Sequence, residues 1–89
     1  MINILGRIDE KHPDLKTEEI LSAWESRVKT QFRLTDEREY MVAVGVSSSG
    51  KLIEMIAFDD GEDTVIFHAM KATKKILTEL NMLSVRKQG

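Results

Sequence analysis

The sequence predicts an α+β domain with two N-terminal helices, an antiparallel sheet of three to four strands and a C-terminal helix. Three observations carry that expectation. Apolar residues recur at helical spacing before residue 29 and again after residue 72. Between those limits the apolar period is two, as in strands with one buried face. Turn-forming clusters divide the alternating stretches into short strands. Because the helical segments flank the strands and do not separate them, a parallel βαβ arrangement is not expected, and the helices should pack on one sheet face. The 89 residues suffice for one domain, residues 1–89, with a single core.

In chain order, Ile4, Leu5 and Ile8 stand at helical spacing and suggest a first helix over residues 3–11. Pro13 with Asp14 ends it, since the residue before a proline is pushed out of the helical region. A second helix opens at Thr17, which can cap it, while Glu18 and Glu19 suit the positive end of its dipole. Ile20, Leu21, Trp24 and Val28 give this helix its apolar stripe. A first strand is expected over residues 31–34, followed by a turn at Asp36, Glu37 and Arg38. Tyr40, Val42, Val44 and Val46 alternate with Met41, Ala43 and Gly45 as a central strand. Residues 47–50 form a turn, residues 52–58 the next strand, and the acidic residues 59–63 a second hairpin turn. The last strand covers residues 64–69, and Ala72, Ile76, Leu77 and Leu80 define a helix ending near Asn81.

Composition bounds the function. Apolar residues make up 42% and charged residues 31%, as in ordinary globular domains. No segment approaches the roughly 20 apolar residues of a membrane-spanning helix, and no secretory leader is evident, so a cytoplasmic setting is expected. The lack of cysteine excludes disulfides, thiolate zinc sites and thiol chemistry. Net charge is −2, but residues 64–89 carry +4 and residues 1–63 carry −6. Lys71, Lys74, Lys75, Arg86 and Lys87 supply the positive end. That asymmetry can focus phosphate on one end of the molecule, although a solvated helix face and a charged tail would also produce it.

The chemistry-bearing stretch is residues 61–75, where an acidic turn leads into an apolar strand, the strand presents His68, and a basic segment follows. A titratable imidazole beside a cluster of ammonium groups is suited to holding a phosphodiester. His68 suits proton exchange, because free histidine titrates near pH 6.5. Strict alternation places it opposite Phe67, on an open sheet face with Ile66 and Met70. Lys71, Lys74 and Lys75 are spaced to line one side of the last helix and contact phosphates, Lys71 nearest His68. An incidental surface histidine with solvated lysines is the plainer alternative. Trp24, Met41 and Met55 read as core, and Tyr40 fits either a core or a site role. Asp59, Asp60, Glu62 and Asp63 lack the ligand spacing of a calcium loop, and no metal or cofactor is expected.

Two blocks resemble the BrnT-type toxins, small ribonucleases of the broader RelE-like fold. The first is Lys11-His12, Leu15 and Glu18-Glu19; the second is the Gly61-Glu62-Asp63 turn followed by residues 67–73, reading FHAMKAT. The resemblance covers the layout of most of the chain but only about ten positions by identity. It implies a metal-independent endoribonuclease toxin of a type II pair, neutralised by a small ribbon-helix-helix antitoxin. It also brings His12 and Lys11 into consideration, the former for catalysis and the latter for RNA binding, although a helix C-terminus alone would favour a histidine at residue 12. The chain departs from the family at Met70 and Val65, where arginines are usual, at Pro13-Asp14, and at Ile76, Leu77 and Thr78. Arg33 and Arg38 are candidate replacements, since arginine grips phosphate in bidentate fashion.

The resulting expectation is RNA cleavage by His68, Lys71, His12 and Arg38, with Lys74, Lys75, Lys11 and Arg33 binding RNA. The alternatives are a nonenzymatic protein-interaction module, using an open sheet face or an edge strand, and an RNA-binding domain that does not cut. A homodimer is compatible with any of the three.

Overall fold

Alternation of β-branched and small residues builds the centre of the molecule. In the computed structural model, which describes residues 1–6, 8, 11–12 and 14–82, five strands form one mixed sheet. The strands are β1 (Ile2–Ile4), β2 (Arg27–Leu34), β3 (Glu39–Val46), β4 (Leu52–Asp59) and β5 (Thr64–Lys71), in spatial order β1-β5-β4-β3-β2. Strands β2 to β5 form an antiparallel meander, and β1 adds in parallel to β5 from Ile2 opposite Thr64 to Ile4 opposite Ile66. Helix α1 (Thr17–Glu25) lies between β1 and β2, and helix α2 (Lys74–Glu79) follows β5. Among the described residues no helix is long and apolar enough to cross a membrane.

The two faces of the sheet bury different sets. On one, Ile20, Ala23 and Trp24 of α1 pack with Ala43, Ile53, Met55, Ala57, Ile66 and Ala69, joined by Ile8 and Leu15. On the other, Ile76 and Leu80 pack against Val42 and Val44, with Leu52, Ile56, Leu77 and Met82 at the margin. Period-two alternation along β3 and β4 therefore serves two cores, which is why both strands are apolar on nearly every residue. Helix α1 lies so close to β3 that a Cβ on Gly45 would stand 1.8 Å from the Ala23 carbonyl oxygen. Glycine is required there by space.

The turns and helix ends follow local chemistry. Gly50 and Gly61 adopt φ of 85° and 101°, which favours glycine. Asn81 takes φ of 61° after the last helix, while the Asn81 and Met82 amides donate to the Thr78 and Leu77 carbonyls at 3.0 and 2.8 Å, a Schellman closure. Thr73 caps α2, its hydroxyl accepting from the Ile76 amide at 3.3 Å. Ser22 of α1 accepts from the Ser48 amide at 2.9 Å, and Ser26, which caps the end of that helix, donates to the Val46 carbonyl at 2.7 Å, so the helix is tied to the end of β3 and the turn after it.

The architecture corrects the expectation of two N-terminal helices, an antiparallel sheet and a C-terminal helix in a RelE-like layout. Among the described residues the sheet has five strands, is mixed, and carries α1 and α2 on opposite faces. The first predicted helix does not begin at residue 3, because Ile2–Ile4 gain a sheet edge about 60 residues away, a tertiary partner that local spacing does not reveal. Further along, Ile8 and Lys11 are helical, and the His12 amide donates to the Ile8 carbonyl at 2.9 Å. The predicted break at Pro13 lies outside the described residues, as do Arg86 and Lys87. Thr17 is the first residue of α1 and not its cap; Lys16 holds that place without a side-chain hydrogen bond. Val28 falls in β2 and is 57% exposed, so the α1 stripe ends at Trp24 and the first strand starts at Arg27, well before residue 31. Lys71 ends β5, so it does not share a helix with Lys74 and Lys75.

Substituting Gly45→Ala is expected to cost about 1–3 kcal/mol through overpacking against the Ala23 backbone. Urea unfolding measures this; a change within 0.5 kcal/mol would show that α1 is free to shift.

Candidate functional site: imidazoles at the open edge of strand β5

Strand β5 carries a bulge at Phe67. Ile66 pairs with Ala57 and His68 pairs with the adjacent Ile56, so Phe67 is an extra residue with no opposite partner. The bulge breaks strict alternation. Ile66 and Ala69 remain in the α1-side core, while Phe67 turns its ring toward Tyr40 and Phe58, with centroids 5.6 and 5.7 Å away. Phe67 and His68 thus project from the same side of the sheet. The expectation that they face opposite ways fails at this one extra residue.

Beneath His68 lies Glu54, a charged side chain flanked in β4 by the apolar Ile53 and Met55, and only 3% exposed. One carboxylate oxygen meets His68 Nε2 at 2.7 Å. The other accepts from the Thr73 amide at 2.8 Å and the Thr73 hydroxyl at 2.6 Å. Burial works to raise the Glu54 pKa. Hydrogen bonds from the Thr73 hydroxyl, the His68 ring and the Thr73 amide outweigh it and hold the carboxyl below its ordinary range. An ionised carboxylate only accepts, so the shared proton belongs to His68 Nε2, and Nδ1 is the basic atom of the neutral ring. The same carboxylate fixes the cap of α2, because the Thr73 hydroxyl donates to Glu54 while it accepts from Ile76.

Beyond Ile66, no described strand pairs with the outer edge of β5. The segment containing Ile8, Lys11 and His12 passes alongside that edge. A cavity of about 250 Å³ opens between them, lined by Ile8, Lys11, His12, Ile56, Phe67, His68 and Ala69. A second cavity of about 210 Å³ lies further along, lined by His12, Asp14, Leu15, Lys51, Ile53, Met70 and Lys71. His12 borders both. Of the residues singled out in the sequence, His68, His12 and Lys11 share the first cavity, and Lys71 joins His12 at the second.

The remaining four stand elsewhere. Arg38 lies over the Phe58 ring, its guanidinium carbon 4.1 Å from the centroid, and so borders the Tyr40, Phe58 and Phe67 cluster and not the cavity. Arg33 forms an ion pair with Glu79 that joins β2 to α2. Lys74 and Lys75 are exposed on α2 and line neither cavity. Glu54 and Thr73 were not identified from sequence; the signal for Glu54 is an acidic residue placed among Ile53, Met55 and Ile56. Among the described residues, no three carboxylate or imidazole groups converge as they would around a metal ion. The Asp59–Asp63 turn instead directs Asp59 and Asp60 onto its own amides, from Gly61 at 2.8 Å and from Glu62 and Asp63 at 2.9 and 2.7 Å.

Comparison with protein-family models, curated proteins and solved structures finds no match to this chain.

Removing the Glu54 carboxylate by Glu54→Ala leaves two Thr73 donors and the His68 ring without their partner, at an expected cost of about 1–3 kcal/mol. Glu54→Gln keeps the shape and removes the titration. A carboxyl lowered on folding contributes its full stabilisation above its unfolded value and loses it as pH falls through the lower folded value. The stability gap between wild type and Glu54→Gln should therefore be widest near neutrality and close in acid. Glu19 and Asp60 are lowered too, so the difference curve, and not the wild-type curve alone, isolates Glu54. Parallel urea-midpoint curves from pH 7 to acid would rule this role out.

Proposed function

We propose that the protein is a metal-independent endoribonuclease whose site is the cavity shared by His68, His12 and Lys11. The observation that carries this reading is the meeting of two imidazoles and an ammonium at one cavity, one imidazole being held by a buried carboxylate. Cleavage by the 2′-hydroxyl of RNA needs one group to take that proton and another to protonate the departing 5′-oxygen. His68 is assigned the first task, through Nδ1, because Glu54 holds its Nε2 proton and orients the ring. His12 is assigned the second, in its protonated form, and Lys11 offsets the charge that develops on the phosphate. Lys71, bordering the neighbouring cavity with His12 and Lys51, is placed to hold the next phosphate along the chain.

The BrnT-like blocks contribute five of the seven residues that line this cavity, Lys11, His12, Phe67, His68 and Ala69, which supports a toxin reading although the overall layout differs. On that reading the protein acts in the cytoplasm and is restrained by a small ribbon-helix-helix antitoxin. Arg38, Lys74 and Lys75 have no assigned part in the chemistry, and Arg33 serves the β2–α2 contact.

Purified protein should cleave single-stranded RNA with excess chelator present, leaving 2′,3′-cyclic phosphate ends. His68→Ala and His12→Ala should each slow cleavage by about 10²–10⁴-fold, the usual contribution of one positioned acid or base. Lys74→Ala with Lys75→Ala should change it little. RNA bound in a salt-sensitive manner yet left intact would instead mark a non-cleaving binding domain. Equal cleavage by wild type and both histidine variants would remove the site assignment altogether.

A further inference from the structure

Strand β2 is unusual for so long a strand. All eight residues are exposed, on both faces, and its outer edge pairs with no described strand. Of the five large apolar residues exposed among the described residues, three lie on it: Val28 at 57%, Phe32 at 61% and Leu34 at 80%. Its pairing with β3 sets Phe32 opposite Met41 and Thr30 opposite Ala43, so Thr30, Phe32 and Leu34 continue the α1-side core outward. Lys29, Gln31 and Arg33 occupy the opposite face, and the strand contains no acidic residue. An open edge beside exposed aromatic and aliphatic side chains invites strand addition unless something covers it.

The charge selects the occupant. A second copy pairing antiparallel about Gln31 would set Lys29 directly opposite Arg33 twice, four cations offset only by the two Glu79 carboxylates already paired with Arg33, and like charges facing across a ladder are destabilising. An acidic segment meets the same positions with complementary charge. We propose that β2 is the docking edge for an extended segment of another protein, one that alternates acidic and apolar side chains. Paired as a sixth strand, its apolar residues would cover Phe32 and Leu34 on the α1 side, and its carboxylates would face Lys29 on the other, where Arg33 already has Glu79 as its partner. This edge lies at the far side of the sheet from β5, so the inference stands whether or not the histidine cavity cleaves RNA.

The test uses the full chain and a fluorescein-labelled peptide of about ten residues alternating glutamate and valine. Fluorescence anisotropy should show saturable binding, with amide shifts in the nuclear magnetic resonance spectrum centred on β2. Phe32→Glu should weaken binding by about tenfold or more, as loss of an aromatic anchor does at interfaces. Lys29→Glu should weaken it as well. Methylating alternate backbone amides of the peptide should abolish binding while keeping every side chain. Unchanged binding of the methylated peptide, or equal binding of a lysine-for-glutamate peptide, would overturn the proposal. So would a wild-type dimer that Phe32→Glu dissolves, which would give the edge to a second copy, or β2 shifts produced by single-stranded RNA in place of the peptide.

Discussion

The buried Glu54 carboxylate joins three parts of the molecule that the chain alone would not hold together. It sits in β4, meets His68 of β5 through one oxygen, and anchors Thr73 at the start of α2 through the other. A charge so deeply placed is tolerated only when hydrogen bonds compensate for lost hydration, and three donors do so here. The consequence is a coupling between structure and chemistry. The group that orients the imidazole also seats the cap of the helix that closes the second core. A six-residue helix has little stability of its own, and packing together with its cap must supply the rest.

The second constraint is the Phe67 bulge. One additional residue lets β5 place an aromatic ring and an imidazole on the same side while Ile66 and Ala69 stay buried on the other. Phe67 then contributes both to the aromatic cluster with Tyr40 and Phe58 and to the wall of the His68 cavity. Bulges are recurrent where a strand must redirect a side chain at a site. The short β1 matters equally, because it ends opposite Ile66 and leaves the rest of β5 accessible from the side.

Legibility in the sequence divides along physical lines. Strands β3 and β4, the turns at Gly50 and Gly61, and the helix end at Asn81 were readable, because alternation, left-handed glycines and an Asn cap are local signals. Strand β1 was not, since Ile4, Leu5 and Ile8 mimic a helical stripe and the true partner is distant in sequence. Val28 extended the α1 stripe by accident of spacing, which hid the first half of β2. The placement of helices on opposite faces was hidden because β3 and β4 are apolar on both, a pattern that was read as one buried face. Of the site, His68 and the Lys11-His12 pair were singled out and do share a cavity. Glu54 is marked in the sequence only as an acidic residue among Ile53, Met55 and Ile56, and its partners His68 and Thr73 lie 14 and 19 residues away, beyond the reach of local pattern. Arg33 and Arg38 were grouped with the site for their chemistry, and they serve an ion pair and an aromatic contact instead.

The central claim is that Glu54, ionised and buried, fixes the His68 ring in one tautomer. A long-range proton–nitrogen correlation spectrum of the full chain, with the imidazole nitrogens labelled, reads this directly. At neutral pH the neutral His68 ring should carry its proton on Nε2, with Nδ1 unprotonated. A His68 ring protonated on Nδ1, or exchanging freely between the two forms, would contradict the account.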